Sequence, residues 1–250
     1  MTGIILTGAC GKMGKVIQSV VAAREDCEIV AGVDKFNDNS SVFPVYSSLS
    51  EVKEEADVII DFSNPSLLDE LLEYGIKNNT ALVIATTGFD ECQKKKISDA
   101  SEKCPVFFTY NMSIGINLLA NLAKKAVAVL GNDFDIEIIE QHHNQKIDAP
   151  SGTALMLADA ISEEFDKPMK YEYDRHSKRE KRTKNEIGIH AVRGGTIVGE
   201  HSILFAGRDE NITLSHSARS KEVFAVGAVN AAVFMKNKTP GMYDMGELVK

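Results

Sequence analysis

Short, nearly unbroken apolar runs alternate with stretches in which apolar positions recur every three or four residues over the first 111 positions of the chain. The runs lie at 4–7, 28–33, 56–62, 81–85 and 105–110. After the first run, Val16, Ile17, Val20 and Val21 share one side of a helical pattern; after the third, Leu67, Leu68, Leu71, Leu72 and Ile76 do the same. Ser63-Asn64-Pro65, just ahead of that second pattern, reads as a helix start. A polar helix is predicted over 90–103. Strands that are apolar on both faces and alternate with helices predict an α/β fold with a doubly wound parallel sheet.

The pattern changes after a long helix predicted over 113–130. Runs at 135–138, 187–193, 196–205 and 211–214 alternate polar with apolar residues, as strands do when one face of a mixed or antiparallel sheet points away from the core. Gly194-Gly195, between two of these runs, predicts a two-residue hairpin turn. A helix rich in Ala and Val is predicted over 221–235, with no new strand before it, so it is expected to pack back on the first domain or on the link. The expected organisation is therefore one domain made of 1–113 and 220–250, and a central α+β domain over 114–219.

The first strand runs into Gly8-Ala9-Cys10-Gly11-Lys12-Met13-Gly14. Glycines in a strand-turn-helix unit permit backbone conformations that a Cβ forbids, and let the N–H groups opening the helix approach a pyrophosphate. The spacing is GxxGxxG. Asp34 follows twenty positions after Gly14, at the end of the second strand, where a carboxylate can bind a ribose. A carboxylate there favours the free 2′-hydroxyl of NADH, whereas the neighbouring Lys35 can accept the 2′-phosphate of NADPH, so either cofactor is compatible. In such sheets ligands lie beyond the carboxyl ends of the strands, which adds 62–64, 85–88 and 109–112 to the candidate site.

Composition narrows the class. With 250 residues, 44% hydrophobic and 26% charged, the chain has the makeup of a globular protein with a sizeable core. No apolar run in the sequence approaches the roughly 20 residues that span a bilayer, and Met1-Thr2-Gly3 lacks a basic leader, so a cytoplasmic protein is expected. The four cysteines form no close pair, which argues against a disulfide framework or zinc site. A net charge of −8 argues against a nucleic-acid partner, so cations for an anionic ligand must be gathered locally. The basic run 175–184 is expected to be a solvated face rather than such a collector.

The gathering occurs in Glu140-Gln141-His142-His143-Asn144-Gln145-Lys146-Ile147-Asp148-Ala149-Pro150-Ser151-Gly152-Thr153-Ala154, which joins a strand to a helix. Ser151 is a plausible N-cap, which leaves N–H groups near Gly152 and Thr153 for a carboxylate. Two histidines, a lysine and a helix start suit a small, multiply charged acid and proton transfer beside it. Adjacent histidines on a strand point to opposite faces, so one of them is equally readable as a hydrogen-bonded core residue. No third ligand stands at a familiar spacing, so no metal is expected.

At these residues the chain resembles the dihydrodipicolinate reductase family, nearly end to end. The resemblance is carried by the glycine turn, 85–89, 111–117, the histidine-lysine stretch 140–154, 192–201 and 240–245. It implies an NAD(P)H-dependent reductase of lysine synthesis through diaminopimelate, with a Rossmann-like first domain and a hinge-closing second domain that also builds a homotetramer. By position, it implies that Gly8, Ala9, Cys10, Gly11, Lys12 and Met13 bind the pyrophosphate, and that Asp34 and Lys35 face the adenosine ribose. Ala85, Thr86 and Thr87, with Thr109, Tyr110, Asn111 and Met112, would line the nicotinamide side. His142 would be the catalytic proton donor and Lys146 a second one, while His143, Gly152 and Thr153 would bind a dicarboxylate substrate.

Three positions depart from the family pattern: Ala85 stands where glycine is common, Asp34-Lys35 where Glu-Arg is frequent, and Ser220-Lys221 where Ser-Arg is usual, which loses a guanidinium fork. The enzymatic rival is another two-domain oxidoreductase of amino-acid synthesis, such as a semialdehyde or homoserine dehydrogenase; an acylating one needs a thiolate, and no cysteine lies beyond Cys104. A dinucleotide-binding sensor is the non-enzymatic rival, and it has no need of His142 and Lys146.

Overall fold

The computed structural model describes residues 1–37 and 41–248. The chain divides into two compact units, Met1–Ile114 with Glu222–Lys250, and Gly115–Lys221.

In the first unit, β1 (Thr2–Thr7), α1 (Lys12–Ala22), β2 (Cys27–Val33), β3 (Val45–Tyr46), β4 (Val58–Asp61), α2 (Leu68–Asn78), β5 (Ala81–Ile84), α3 (Glu91–Ser101) and β6 (Pro105–Phe108) follow in order. The second unit contains α4 (Ile114–Leu130, its first residue still in the first unit), β7 (Asp135–His142), α5 (Gly152–Ser162), β8 (Lys170–Glu172), β9 (Glu186–Arg193), β10 (Gly199–Ala206) and β11 (Asn211–Ala218). The chain then returns to the first unit as α6 (Glu222–Met235), β12 (Gly241–Tyr243) and α7 (Met245–Leu248).

The first unit is a seven-stranded parallel sheet in the order β12-β6-β5-β4-β1-β2-β3. Strand order reverses between β1 and β4, which opens a crevice at their carboxyl ends. One core cluster packs α1 and α6 against one face of this sheet, through Ile17, Ala228, Val229 and Ala232 on Leu6, Ile60 and Val83. The other packs α2 and α3 against the opposite face, through Leu71, Leu72 and Ile97 on Ile5, Ile59 and Leu82. Burial on both faces explains why the strands read as continuous apolar runs. The α6 helix lies on this sheet, as its position in the chain predicted. Asp90 caps α3 and Gln93 completes a reciprocal capping box, so a polar helix starts sharply where its sequence says it should.

The second unit is a five-stranded mixed sheet, β11-β10-β7-β9-β8. Gly194-Gly195 is not a hairpin turn. β9 runs parallel to β7, while β10 runs antiparallel to β7 on its other side, so the chain crosses over the end of β7 between them. The glycines are held by that strand end: Gly194 N–H donates to His142 O at 2.9 Å, and Asn144 N–H donates to Gly195 O at 3.2 Å. Alternation of polarity fixes which face a strand buries, and says nothing about which strand lies beside it.

Helices α4 and α5 cover one face of this sheet, with Ile116, Leu119 and Leu157 packed on Ile136, Ile138 and Phe205. One expectation about apolar runs needs correction. Residues Ile114–Asp133, α4 with the 3-10 turn after it, form a 20-residue helical stretch long and apolar enough by composition to cross a membrane. One side of it packs on the sheet, its centre carries Lys124 and Lys125, and Leu118, Leu122 and Val129 are exposed on the other side.

Four cations of the basic run 175–184 are paired within their own unit: Arg175 with Glu186, Lys178 with Glu172, Arg182 with Asp135 and Glu137, and Lys184 with Asp135, which binds the loop to β7, β8 and β9.

Candidate active site

A cleft of about 390 Å³ opens at the crevice of the first unit, lined by Gly8, Gly11, Asp34, Lys35, Ser63 and Glu70 among others. Gly8 adopts φ +71°, and a Cβ there would stand 2.4 Å from Phe62 O, so only glycine fits. Gly11 precedes α1 as its N-cap with no capping side chain, and no acidic residue occupies the first turn. The amide end of α1, with its partial positive charge, therefore carries no capping side chain and no acid of its own first turn. Asp34 reaches back into the turn: its carboxylate accepts Cys10 N–H at 2.9 Å and Phe36 N–H at 3.0 Å. Ala9 is wholly buried, so it offers only its backbone.

The carboxyl ends of β1, β4 and β5 are tied by one buried acid. Asp61, 2% exposed, accepts Thr7 Oγ1–H and Ser63 Oγ–H, each at 2.5 Å, and Ser63 N–H donates to Thr86 Oγ1 at 3.0 Å. Asp61 holds the crevice in shape, and sequence reasoning missed it; its signal was a carboxylate closing an otherwise apolar central strand. Just beyond the end of β6, Thr109 Oγ1 closes a turn on Asn111, Tyr110 is exposed, and Met112 is buried in the core with α6.

The second unit carries a polar cluster at the carboxyl end of β7. Ile136, Ile138, Glu140 and His142 face inward in turn, so the strand's buried face changes from apolar to ionisable in its last two inward positions. Glu140 is fully buried. Its Oε2 lies 2.6 Å from His142 Nδ1 and 2.7 Å from Arg193 Nη1; its Oε1 accepts from Arg193 Nη2 at 2.8 Å and from Ser151 N–H at 2.9 Å. Ser151 is the N-cap of α5, its Oγ accepting Ala154 N–H at 3.2 Å and lying 3.2 Å from His201 Nε2. The rings of His142 and His201 meet edge to face at 5.2 Å. Lys146 pairs with Asp148 at 2.8 Å, and the carbonyl of Asp148 accepts from Arg193 Nη2 at 2.6 Å. Gly152 stands exposed at the first turn of α5, and a Cβ there would meet nothing within 4 Å.

Of the residues in this cluster, sequence reasoning singles out His142 and Lys146 and leaves out Glu140, Arg193 and His201. Of the two histidines, His142 is buried and His143 half-buried. All four cysteines are free thiols, and among the described residues no cluster of His, Cys, Asp and Glu could hold a metal ion.

Burial works against the charge on Glu140, but hydrogen bonds from Arg193, His142 and Ser151 N–H outweigh it and hold its carboxyl below the ordinary value. Burial first, reinforced by the charges of His142, His216 and Lys146 and opposed by Glu140, pushes His201 down to about 4. A ring that binds a proton less readily when folded contributes stability that is complete above the unfolded value of 6.5 and lost as pH falls to about 4. Urea unfolding is expected to show a loss of about 3 kcal/mol between pH 7 and pH 4 from this group. His201→Asn should flatten that slope.

The sequence profile described as "Dihydrodipicolinate reductase, N-terminus" matches residues 2–112, and "Dihydrodipicolinate reductase, C-terminus" matches residues 115–249. The chain is 53% identical over 250 residues to the 4-hydroxy-tetrahydrodipicolinate reductase of Caldanaerobacter subterraneus subsp. tengcongensis, covering 100% of this chain and 99% of that protein. It is 52% identical over 237 residues to the enzyme of the same name from Staphylococcus epidermidis, covering 94% and 97%. Among solved structures, dipicolinate-bound dihydrodipicolinate reductase from Paenisporosarcina sp. TG-14 superposes with a TM-score of 0.81 at 28% identity, covering 98% of this chain and 97% of that one.

Proposed function

The chain belongs to the dihydrodipicolinate reductase family, and from that membership and the geometry of the two sites we propose that it reduces (2S,4S)-4-hydroxy-2,3,4,5-tetrahydrodipicolinate to (S)-2,3,4,5-tetrahydrodipicolinate and water with NADH or NADPH. The reaction belongs to lysine synthesis through diaminopimelate, in the cytoplasm. The observation that carries the reading is the histidine at the end of β7, held by a buried carboxylate that also binds the N-cap of α5.

The residues of the first unit fit a dinucleotide. The uncapped start of α1 suits a pyrophosphate, and Gly11 leaves room above the backbone, since a Cβ there would meet only Gly8 O, at 3.2 Å. Asp34 would hold an adenosine ribose and Lys35 a 2′-phosphate, so the turn suits either dinucleotide. Ala85 to Thr87 and Thr109 to Met112, on adjacent strand ends, would border the nicotinamide. A reduced nicotinamide supplies a hydride.

In the second unit, the N-terminus of α5 at Gly152 and Thr153, with His143, would hold a carboxylate of the substrate. Loss of the 4-hydroxyl as water leaves a conjugated C=C–C=N system. Hydride arriving at C4 pushes an electron pair onto the ring nitrogen. His142 would deliver the proton that this pair takes up, giving an enamine that becomes the imine product as nitrogen loses its proton and C5 gains one, and Lys146 would stabilise the developing charge. The balance is one hydride and one proton gained, and one water lost.

Self-association belongs to the same reading: a homotetramer built through the face of the second unit's sheet that α4 and α5 leave uncovered, where Ile139, Leu204 and Val192 are partly exposed.

The purified protein, given substrate freshly made by the preceding synthase, is expected to oxidise both NADH and NADPH in a substrate-dependent way. Absence of turnover with either dinucleotide would overturn the reading and favour a dinucleotide-binding sensor.

A further inference from the structure

Every polar contact of Glu140 goes to a group with a task in the site, and none goes to solvent. Its partner on its own strand is His142, two residues on and therefore on the same face. From β9 it takes both terminal nitrogens of Arg193, which sits opposite His142 in the strand register. From the start of α5 it takes Ser151 N–H. His201 on β10 lies opposite it in register.

We infer that Glu140 is a positioning residue for proton delivery: it fixes the ring of His142 with the proton on Nδ1, leaving Nε2 as the working nitrogen. This rests on reading His142 as the proton donor. A fully buried carboxylate is a one-way instruction here. It accepts hydrogen bonds and donates none, so the neutral ring can satisfy it only by presenting Nδ1–H. The other nitrogen is then the one that takes up a proton and hands it on. His142 Nε2 lies beside Gly199, where a Cβ would stand 3.1 Å from it, so a side chain at that position would crowd this nitrogen.

Arg193 makes the arrangement stable. Its two-pronged pairing keeps Glu140 ionised despite burial, and the same guanidinium grips the carbonyl of Asp148, the residue that pairs with Lys146. One carboxylate thereby sets three things at once: the tautomer of the donor ring, the start of α5, and, through Arg193, the loop that carries Lys146. This goes beyond a brace for the fold, because a brace would be indifferent to which ring nitrogen carries hydrogen.

Glu140→Gln separates the two roles. The amide oxygen still accepts from Arg193 or Ser151, but the amide nitrogen donates to the ring and selects the opposite tautomer. Nitrogen-15 imidazole spectra of the wild-type protein are expected to show neutral His142 with hydrogen on Nδ1, and those of Glu140→Gln with hydrogen on Nε2. The variant's kcat should fall roughly tenfold to a hundredfold, as for other partners that orient a functional histidine. Its KM for the dicarboxylate should stay within roughly threefold and its dinucleotide affinity should not change.

Wild-type His142 with hydrogen on Nε2 would overturn the inference whether or not the variant folds. So would a variant with unchanged kcat, or one that loses KM and kcat together with its tautomer unmoved. If the wild-type protein turns over no substrate, the proposed reaction falls while the spectra still decide the role of Glu140.

Discussion

His142→Gln is expected to lower kcat by about two to four orders of magnitude, the span that a positioned proton donor contributes. Glutamine is close to the ring in size, and its amide N–H can donate to Glu140 as Nδ1–H does, so the buried carboxylate keeps a partner and the cluster stays satisfied. What the amide lacks at neutral pH is a proton it can give up. The residues that would hold the dinucleotide lie in the other unit, around Gly8, Gly11 and Asp34, so dinucleotide affinity measured by quenching of protein or nicotinamide fluorescence should match wild type. Steady-state kinetics then give a loss in kcat with KM for NADH and NADPH retained. Turnover within a factor of about three of wild type would remove His142 from the proton-donor role, since no such role is worth so little.

The sequence displayed the first unit almost strand by strand, because strands buried on both faces leave an unmistakable run of apolar residues. Ile4, Ile5 and Leu6 are all fully buried, as are Ile59, Ile60, Leu82 and Val83. Strand neighbours in the second unit were less legible. The pattern at 187–193 announced a strand, but the insertion of β7 between β9 and β10 is a long-range pairing that two glycines cannot reveal. The glycines read as a turn and do turn the chain, though around the end of a third strand.

The site shows the same division. Segments were legible: the glycine turn with Asp34, and the stretch from His142 to Thr153. Their partners were not, because Arg193 and His201 reach Glu140 and Ser151 from strands some fifty residues away. One clue was present in the chain itself. Period-two reading of Ile136, Ile138, Glu140 and His142 puts a carboxylate in phase with two core isoleucines, and a carboxylate on that face must be paired. The electrostatics follow from that pairing: Glu140 stays charged only because Arg193, His142 and Ser151 N–H surround it.

Gly14→Ala and Gly11→Ala, two substitutions three residues apart, are expected to fail in different ways. A Cβ at Gly14 would stand 2.3 Å from both Gly8 O and Ala9 O, inside contact distance of rigid backbone on the buried side of α1. The turn must open to admit it, at a cost of roughly 1–3 kcal/mol or more, as for other overpacked sites. Gly14→Ala should therefore lower the urea midpoint and lose dinucleotide binding together. Gly11 has φ −70° and ψ 170°, ordinary for any residue; it is exposed, and its Cβ would meet only Gly8 O, at 3.2 Å. Folding should tolerate Gly11→Ala to within about 1 kcal/mol, because a stiffer unfolded chain offsets the tight contact. The added methyl group would instead occupy the space above the uncapped start of α1, where a pyrophosphate must come close to the backbone. Dinucleotide Kd is expected to rise roughly tenfold to a hundredfold, about 1.4–2.8 kcal/mol, at unchanged stability. A Gly11→Ala protein that binds NADH and NADPH as tightly as wild type would show that this turn does not cradle the phosphates. Equal loss of stability in both variants would show that the second glycine serves the fold and not the ligand.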